Sequence, residues 1–223
     1  GPWFRAIRDS GNLRVVDTRQ GIELRQIKSP LDDVSHSEAH HHAGHDHTGH
    51  HHAGYNHPGL DPHIWTSPRL LQVQARTVAE TLREVAPEHR GNSERNLASL
   101  EAKLDQLDAK IREKLDPYRG RAMFVYHPAW GYFADEYGLR QVAVEPEGKE
   151  PTDRGLTELR RLARREGANV LFVQPQFAGP SIESVAQTLG LRVEVLNPLA
   201  EDLPAELLHA AAVLAGSFAQ TEE

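Results

Sequence analysis

The sequence predicts an α/β protein whose C-terminal half is a parallel sheet covered by helices. Three observations carry that prediction. Four short β-rich runs alternate with helical patterns after residue 120, so each strand is followed by a helix in the order that builds a parallel sheet. A single long apolar periodicity, Leu97, Leu100, Leu104, Leu107, Ile111 and Leu115, precedes them at spacings of three and four residues and stops at Pro117. Between residues 29 and 62 periodicity disappears altogether.

In chain order, the first 27 residues read as a short helix around Trp3 to Arg8 and a strand at Leu13 to Val16, with Gly11 and Asn12 as the break. The segment 29–62 is His, Gly, Ala and Asp interrupted by Pro58 and Pro62, the composition of a surface loop. Ser67 and Pro68 open a helix to about Val85, with Ala75, Val78, Leu82 and Val85 on one face. The long helix follows Pro87 and Gly91; about 24 residues at 1.5 Å each reach roughly 36 Å. Strands are then expected at Met123–Tyr126, Gln141–Glu145, Val170–Val173 and Val193–Leu196, and helices near 129–137, 153–166, 181–189 and 204–219. Gly167 and Gly190 read as helix C-caps. The region before the long helix has too few elements for a comparable sheet.

Composition narrows the chemistry. With 25 Lys and Arg against 32 Asp and Glu in 223 residues, the formal net charge of -7 argues against a nucleic-acid binder working through a basic field. No apolar run approaches the roughly 18 to 20 residues that span a bilayer, and the first residues lack the layout of a signal peptide. There is no cysteine, so a tight metal site must be built from imidazole and carboxylate. Histidine is the exceptional residue: of fourteen, ten fall in the loop, at His36, His40, His41, His42, His45, His47, His50, His51, His52 and His57. Clustered neutral imidazoles bind Zn²⁺, Ni²⁺ or Cu²⁺, and a tract that is internal and interrupted by Gly, Ala and acidic residues does not read as a tag.

Two further histidines stand in fixed surroundings. His63 lies in the proline-flanked turn Asp61-Pro62-His63-Ile64-Trp65-Thr66-Ser67-Pro68, immediately ahead of a helix. His127, in Tyr126-His127-Pro128-Ala129-Trp130, follows the first strand of the parallel sheet, where open α/β sheets bind ligands. Each alone is either a ligand or a residue packing its own turn; the pair favours one shared site, with ring nitrogens facing a common space, within about 5 Å of each other or bridgeable by a modest closure. Trp130, Tyr132, Phe133 and Tyr137 read as core. Glu145, Glu147 and Glu150 read as a solvated acidic loop rather than an acid/base pair.

These motifs, together with Tyr126 to Leu139, Glu147 to Thr152, Phe172 to Phe177 and Leu196 to Ala200, resemble the zinc and manganese solute-binding proteins of bacterial ABC importers, the cluster A-I, ZnuA/TroA-like family. The resemblance runs through nearly the whole chain. It implies two (β/α) lobes joined by a long rigid helix, the N-terminal lobe incomplete here: residues 1–90 a partial N-terminal lobe containing the His-rich loop 29–62, 91–117 the linking helix, 118–223 a C-terminal (βα)4 lobe. It implies Zn²⁺, in preference to Mn²⁺, bound in the interlobe cleft by His63 and His127, and a membrane permease of a metal ABC importer as partner. A third family histidine would lie upstream of the segment matching residues 2–9. Asn197 stands where many members carry an aspartate that contacts the metal, so it is a candidate for the fourth position or for support behind the ligands. Location would be periplasmic or otherwise extracytoplasmic, with a signal or lipoprotein anchor expected upstream. The competing functions are a metal buffer or chaperone acting through the loop, and a zinc hydrolase, which lacks an evident general base beside either histidine.

Overall fold

A computed structural model describes residues 13–27, 59–145 and 151–220. Chain contacts group into two units, Gly1–Glu23 with Pro68–Asp108 and Leu24–Ser67 with Ala109–Glu223. The expected helix at 3–8, the His-rich loop with its ten histidines, Glu147 and Glu150 lie outside the described residues.

In the first unit, helix α1 (Pro68–Val85) lies beside the N-terminal part of helix α2 (Arg90–Leu115). Gln72 donates to Asp105 Oδ1 at 2.6 Å and Arg76 Nε to Glu101 Oε1 at 2.6 Å, tying the two helices together over one turn. Ala79, Leu104 and Leu107 are buried, whereas Val78, Leu82 and Val85 of α1 and Leu13 and Val15 are exposed. The strand expected at Leu13–Val16 does not form: residues 13–17 are irregular, because no segment among the described residues offers them a ladder. They lead into a turn in which Arg19 Nε and Nη2 grip both oxygens of Asp17, at 2.8 and 2.7 Å. That grip lowers the Asp17 carboxyl to about 2 and raises the Arg19 guanidinium.

The second unit holds the sheet, and here every expected strand and helix is present. Strands β1 (Ala122–Val125), β2 (Arg140–Ala143), β3 (Val170–Val173) and β4 (Arg192–Val195) pair in parallel in the order β2-β1-β3-β4. Helix α3 (Gly131–Glu136) connects β1 to β2, α4 (Asp153–Arg165) leads to β3, α5 (Pro180–Leu189) to β4, and α6 (Leu203–Ala219) follows. The registers Ala122 to Arg140 and Val170 to Arg192 align the strand starts.

β1 and β3 read as unbroken apolar runs because both faces of a parallel sheet are covered. Phe124, Leu171, Val173 and Val142 pack with Leu159 and Ala163 of α4 and Ile182, Ala186 and Leu189 of α5. The alternate residues Met123, Val125, Val170 and Phe172 are equally buried, as are Leu207, Ala211, Leu214 and Phe218 of α6. Each fully buried Leu or Phe contributes about 1.5–3 kcal/mol. Helix ends follow their sequence signals: Thr152 Oγ1 accepts from Gly155 N, Asp202 Oδ1 accepts from Ala205 N, and Gly190 ends α5 at φ 77°.

This strand order places the site. From β1 the chain turns one way to β2, then crosses back to β3 on the other side of β1, so the carboxyl ends of β1 and β3 flank the switch point where such sheets leave a crevice. His127 follows β1 and the turn Pro175–Phe177 follows β3.

Candidate metal centre

The turn carrying His63 is built on a two-stranded stem. Gln26 and Leu60 form an antiparallel bridge, with Ile27 N donating to Gly59 O at 3.1 Å and Asp61 N to Arg25 O at 2.8 Å. Pro62 keeps Asp61 out of helical conformation; the chain then tightens into a 3₁₀ turn at Ile64–Thr66, where Thr66 N and its hydroxyl both donate to His63 O. Ile64, Thr66 and Ser67 are buried, which fixes the turn from below. Trp65 Nε1 donates to Pro198 O at 2.8 Å, binding the turn to the loop after β4.

Asp61 is 1% exposed. Its Oδ1 lies 2.7 Å from His63 Nδ1 and accepts the His63 backbone N–H at 2.9 Å; its Oδ2 faces Arg25 Nη1 at 3.8 Å. Arg25 Nε reaches Asp135 Oδ2 at 3.2 Å. Tyr132 locks these parts together: its hydroxyl donates to Asp61 O at 2.8 Å and accepts from Arg25 N at 3.1 Å. Burial raises the Tyr132 hydroxyl above its usual value. Gly131 leaves room for this arrangement, since a Cβ there would collide with the Arg25 guanidinium.

His127 has its own carboxylate. Glu145, just past β2 and largely buried, extends the ladder by donating its N–H to Tyr126 O at 2.9 Å, and its Oε2 lies 3.0 Å from His127 Nδ1. Glu145 was expected in a solvated loop; the structure corrects this, because the residue continues the ladder at the carboxyl edge of the sheet and turns its carboxylate to the histidine. Phe177 flanks the His127 ring at 5.6 Å.

The two imidazoles meet edge to face, with centroids 5.4 Å apart and planes at 84°. Two rings bound through nitrogen to one tetrahedral zinc at 2.0–2.1 Å would have centroids roughly 5 Å apart. With both Nδ1 atoms on carboxylates, Nε2 is the ligand atom each ring can present. Among the described residues no group of three or more His, Asp or Glu side chains is arranged to hold a metal.

Asn197 uses its Oδ1 to accept from Leu199 N at 3.1 Å, while its own N–H donates to Glu206 Oε1. It stands in the same loop as Pro198, the partner of Trp65. His89, in the 3₁₀ turn Pro87–His89, and His209, on α6, are both exposed. Trp130, Phe133 and Tyr137 are fully buried, and Tyr132 nearly so, as core residues.

From the sequence, Tyr132 read as core and Glu145 as solvated, and neither they nor Asp61 and Arg25 were given a role beside the histidines. Asp61 carried a readable signal, a carboxylate two residues before a histidine across a proline. Arg25 and Tyr132 carried none, because their roles depend on contacts with sequence-distant residues.

The histidine pair of this parallel α/β sheet stands at the carboxyl edge, the place where open sheets of this class bind ligands. Residues 2–210 match the family model described as ZnuA, zinc-uptake complex component A, periplasmic, and the chain belongs to that family. It is 32% identical over 146 residues to the high-affinity zinc uptake system protein ZnuA of Brucella abortus, covering 64% of this chain and 43% of that protein. The Bacillus subtilis protein of the same name is 29% identical over 143 residues, covering 63% of this chain and 44% of that protein. The chain thus spans less than half the length of these curated relatives. Among solved structures, a ZnuA crystal structure superposes with a TM-score of 0.78 at 31% identity, over 97% of this chain and 74% of that one. A zinc-bound ZnuA deletion mutant gives 0.77 at 32% identity, again over 97% and 74%. Streptococcus pneumoniae AdcAII shares the fold, with a TM-score of 0.71 at 21% identity over 94% and 72%.

Proposed function

We propose that this chain belongs to an extracytoplasmic protein that captures Zn²⁺ through His63 and His127 and delivers it to the membrane permease of an ABC importer. In that reading the ion is cargo held in the interlobe cleft of the full-length protein, Asn197 and an upstream residue complete its surroundings, and the loop histidines are accessory metal ligands. The observation that carries the reading is the pair itself: two imidazoles 5.4 Å apart, each with Nδ1 on a carboxylate, at the switch point of the sheet. Family membership supplies the choice of zinc and of an importer.

Binding is reversible and breaks no bond, so the protein is not an enzyme in this reading. A hydrolase would need a carboxylate free to activate water. Asp61 and Glu145 do stand beside the histidines, contrary to the expectation that no such group would, but both are engaged with ring nitrogens. The test is zinc titration of the His63→Ala and His127→Ala variants in protein without residues 36–57. Affinity should fall by orders of magnitude in either, and change little in His89→Ala or His209→Ala. Unchanged binding in both site variants would end the assignment.

A further inference from the structure

We infer that Asp61 and Glu145 are positioning residues for metal capture: each fixes the tautomer and direction of one histidine and delivers to the bound cation, through the ring, negative charge that the ligands lack. The inference rests on His63 and His127 being ligands, and goes beyond that reading in naming what prepares them.

An ionised carboxylate oxygen can only accept a hydrogen bond, so at 2.7 and 3.0 Å the donors are the Nδ1–H groups of His63 and His127. The lone pair of each neutral ring then lies on Nε2, the nitrogen facing away from its carboxylate. A free histidine divides itself between two tautomers and many orientations; these two are set before metal arrives. For His63 the setting is rigid, since Asp61 Oδ1 holds both the ring and the backbone N–H of the same residue.

The carboxylates also supply charge. Two neutral imidazoles and a neutral Asn197 bring nothing to balance a divalent ion. Asp61 and Glu145 are 1% and 7% exposed, where water screens charge weakly, so their field reaches the ion through the polarised rings. Without metal, a buried Asp61 charge would be costly to leave alone; Arg25, 3.8 Å from Oδ2 and held by Asp135, offsets it. The resulting site favours a divalent cation that accepts imidazole readily, as zinc does, over harder ions that favour oxygen.

The test uses the full chain with ¹⁵N-labelled histidine. At about pH 8.5, above the usual imidazole range, long-range proton–nitrogen correlations should show both rings as the Nδ1–H tautomer without metal. Zinc should then shift Nε2 of both. Asp61→Asn and Glu145→Gln keep shape and remove charge; each should raise the buffered free zinc needed for half-occupancy about 10- to 100-fold. Rings found as the Nε2–H tautomer in the wild type overturn the inference without any variant, even if a variant fails to fold. Zinc shifts on both rings with variant affinities within about threefold of wild type overturn it while leaving the ligand assignment intact. Rings unmoved by zinc overturn both.

Discussion

The Tyr132 hydroxyl donates to the carbonyl oxygen of Asp61 while accepting the backbone N–H of Arg25, so one phenol ties helix α3 to both sides of the stem beneath His63. Tyr132→Phe removes both bonds from a buried location and leaves a donor and an acceptor unpaired, at about 1–3 kcal/mol. The pH dependence has a definite sign. Burial, the largest cause, raises the folded-state value of Tyr132 above the ordinary 10.0, so its contribution is complete below pH 10 and fades as pH rises through the higher folded value. Urea unfolding near neutrality and at about pH 10.5 should show a steeper loss of stability in the wild type than in the variant. Equal slopes would mean that the phenol does not couple to folding.

Gly131 should tolerate no side chain. A Cβ there would strike the guanidinium of Arg25 and crowd Asp61 Oδ2, so Gly131→Ala must displace Arg25 and leave the Asp61 carboxylate without its counter-charge. Breaking a buried pair from one side costs about 3–5 kcal/mol, less where the partner reaches water, as Arg25 does here. The expected outcome is a lower melting temperature together with weaker zinc binding. Loss of stability with zinc affinity unchanged would separate Arg25 from the site.

Asp17 offers a check remote from metal chemistry. The side-chain hydrogen bonds from Arg19 hold its carboxyl at about 2, against an ordinary 3.8. The contribution of this pair is therefore present above pH 3.8 and lost as pH falls toward 2; full exposure keeps its effect on stability small. Following the Asp17 carboxyl carbon by NMR through an acid titration should give a midpoint near 2 in the wild type, returning to the ordinary range in Arg19→Ala.

The C-terminal sheet was legible because its signals are local: unbroken apolar runs at Val170–Val173 and Met123–Val125, and turn residues at each boundary. Strand bounds moved by a residue or two at Ala122–Val125, Arg140–Ala143 and Arg192–Val195, because pattern marks the middle of a short strand better than its ends. Leu13–Val16 misled because alternating apolar residues specify a strand only when another strand accepts their hydrogen bonds. His63 and His127 were visible through their turns, but the network behind them was not. Asp61, Arg25 and Tyr132 meet across sequence separations of up to 107 residues, Glu145 reaches His127 from the next strand, and no spacing in the chain encodes either.

Acid should separate the histidine pair from the loop. Metal ligation needs neutral imidazole, and imidazole protonates around pH 6.5, so protons and zinc compete near neutrality. Ten histidines between His36 and His57 would add ten positive charges to one stretch, and protonating all fourteen would move the formal charge of the chain from -7 to +7. The loop should therefore take up several zinc ions at neutral pH and shed them by roughly pH 5, through lost lone pairs and its own repulsion. His63 and His127 begin with Nδ1 on carboxylates and directions already fixed, so binding there carries no repeated ordering cost and should persist to lower pH. Zinc titrations at about pH 7.5 and 5.5, with and without residues 36–57 and each extended to the full-length protein, resolve the two populations. Weak equivalents that vanish on deletion and on acidification, beside a tight one that survives both, are expected from capture for transport. A metal buffer acting through the loop would lose nearly all binding on deletion, and identical stoichiometry in all four titrations would remove the loop from metal binding altogether.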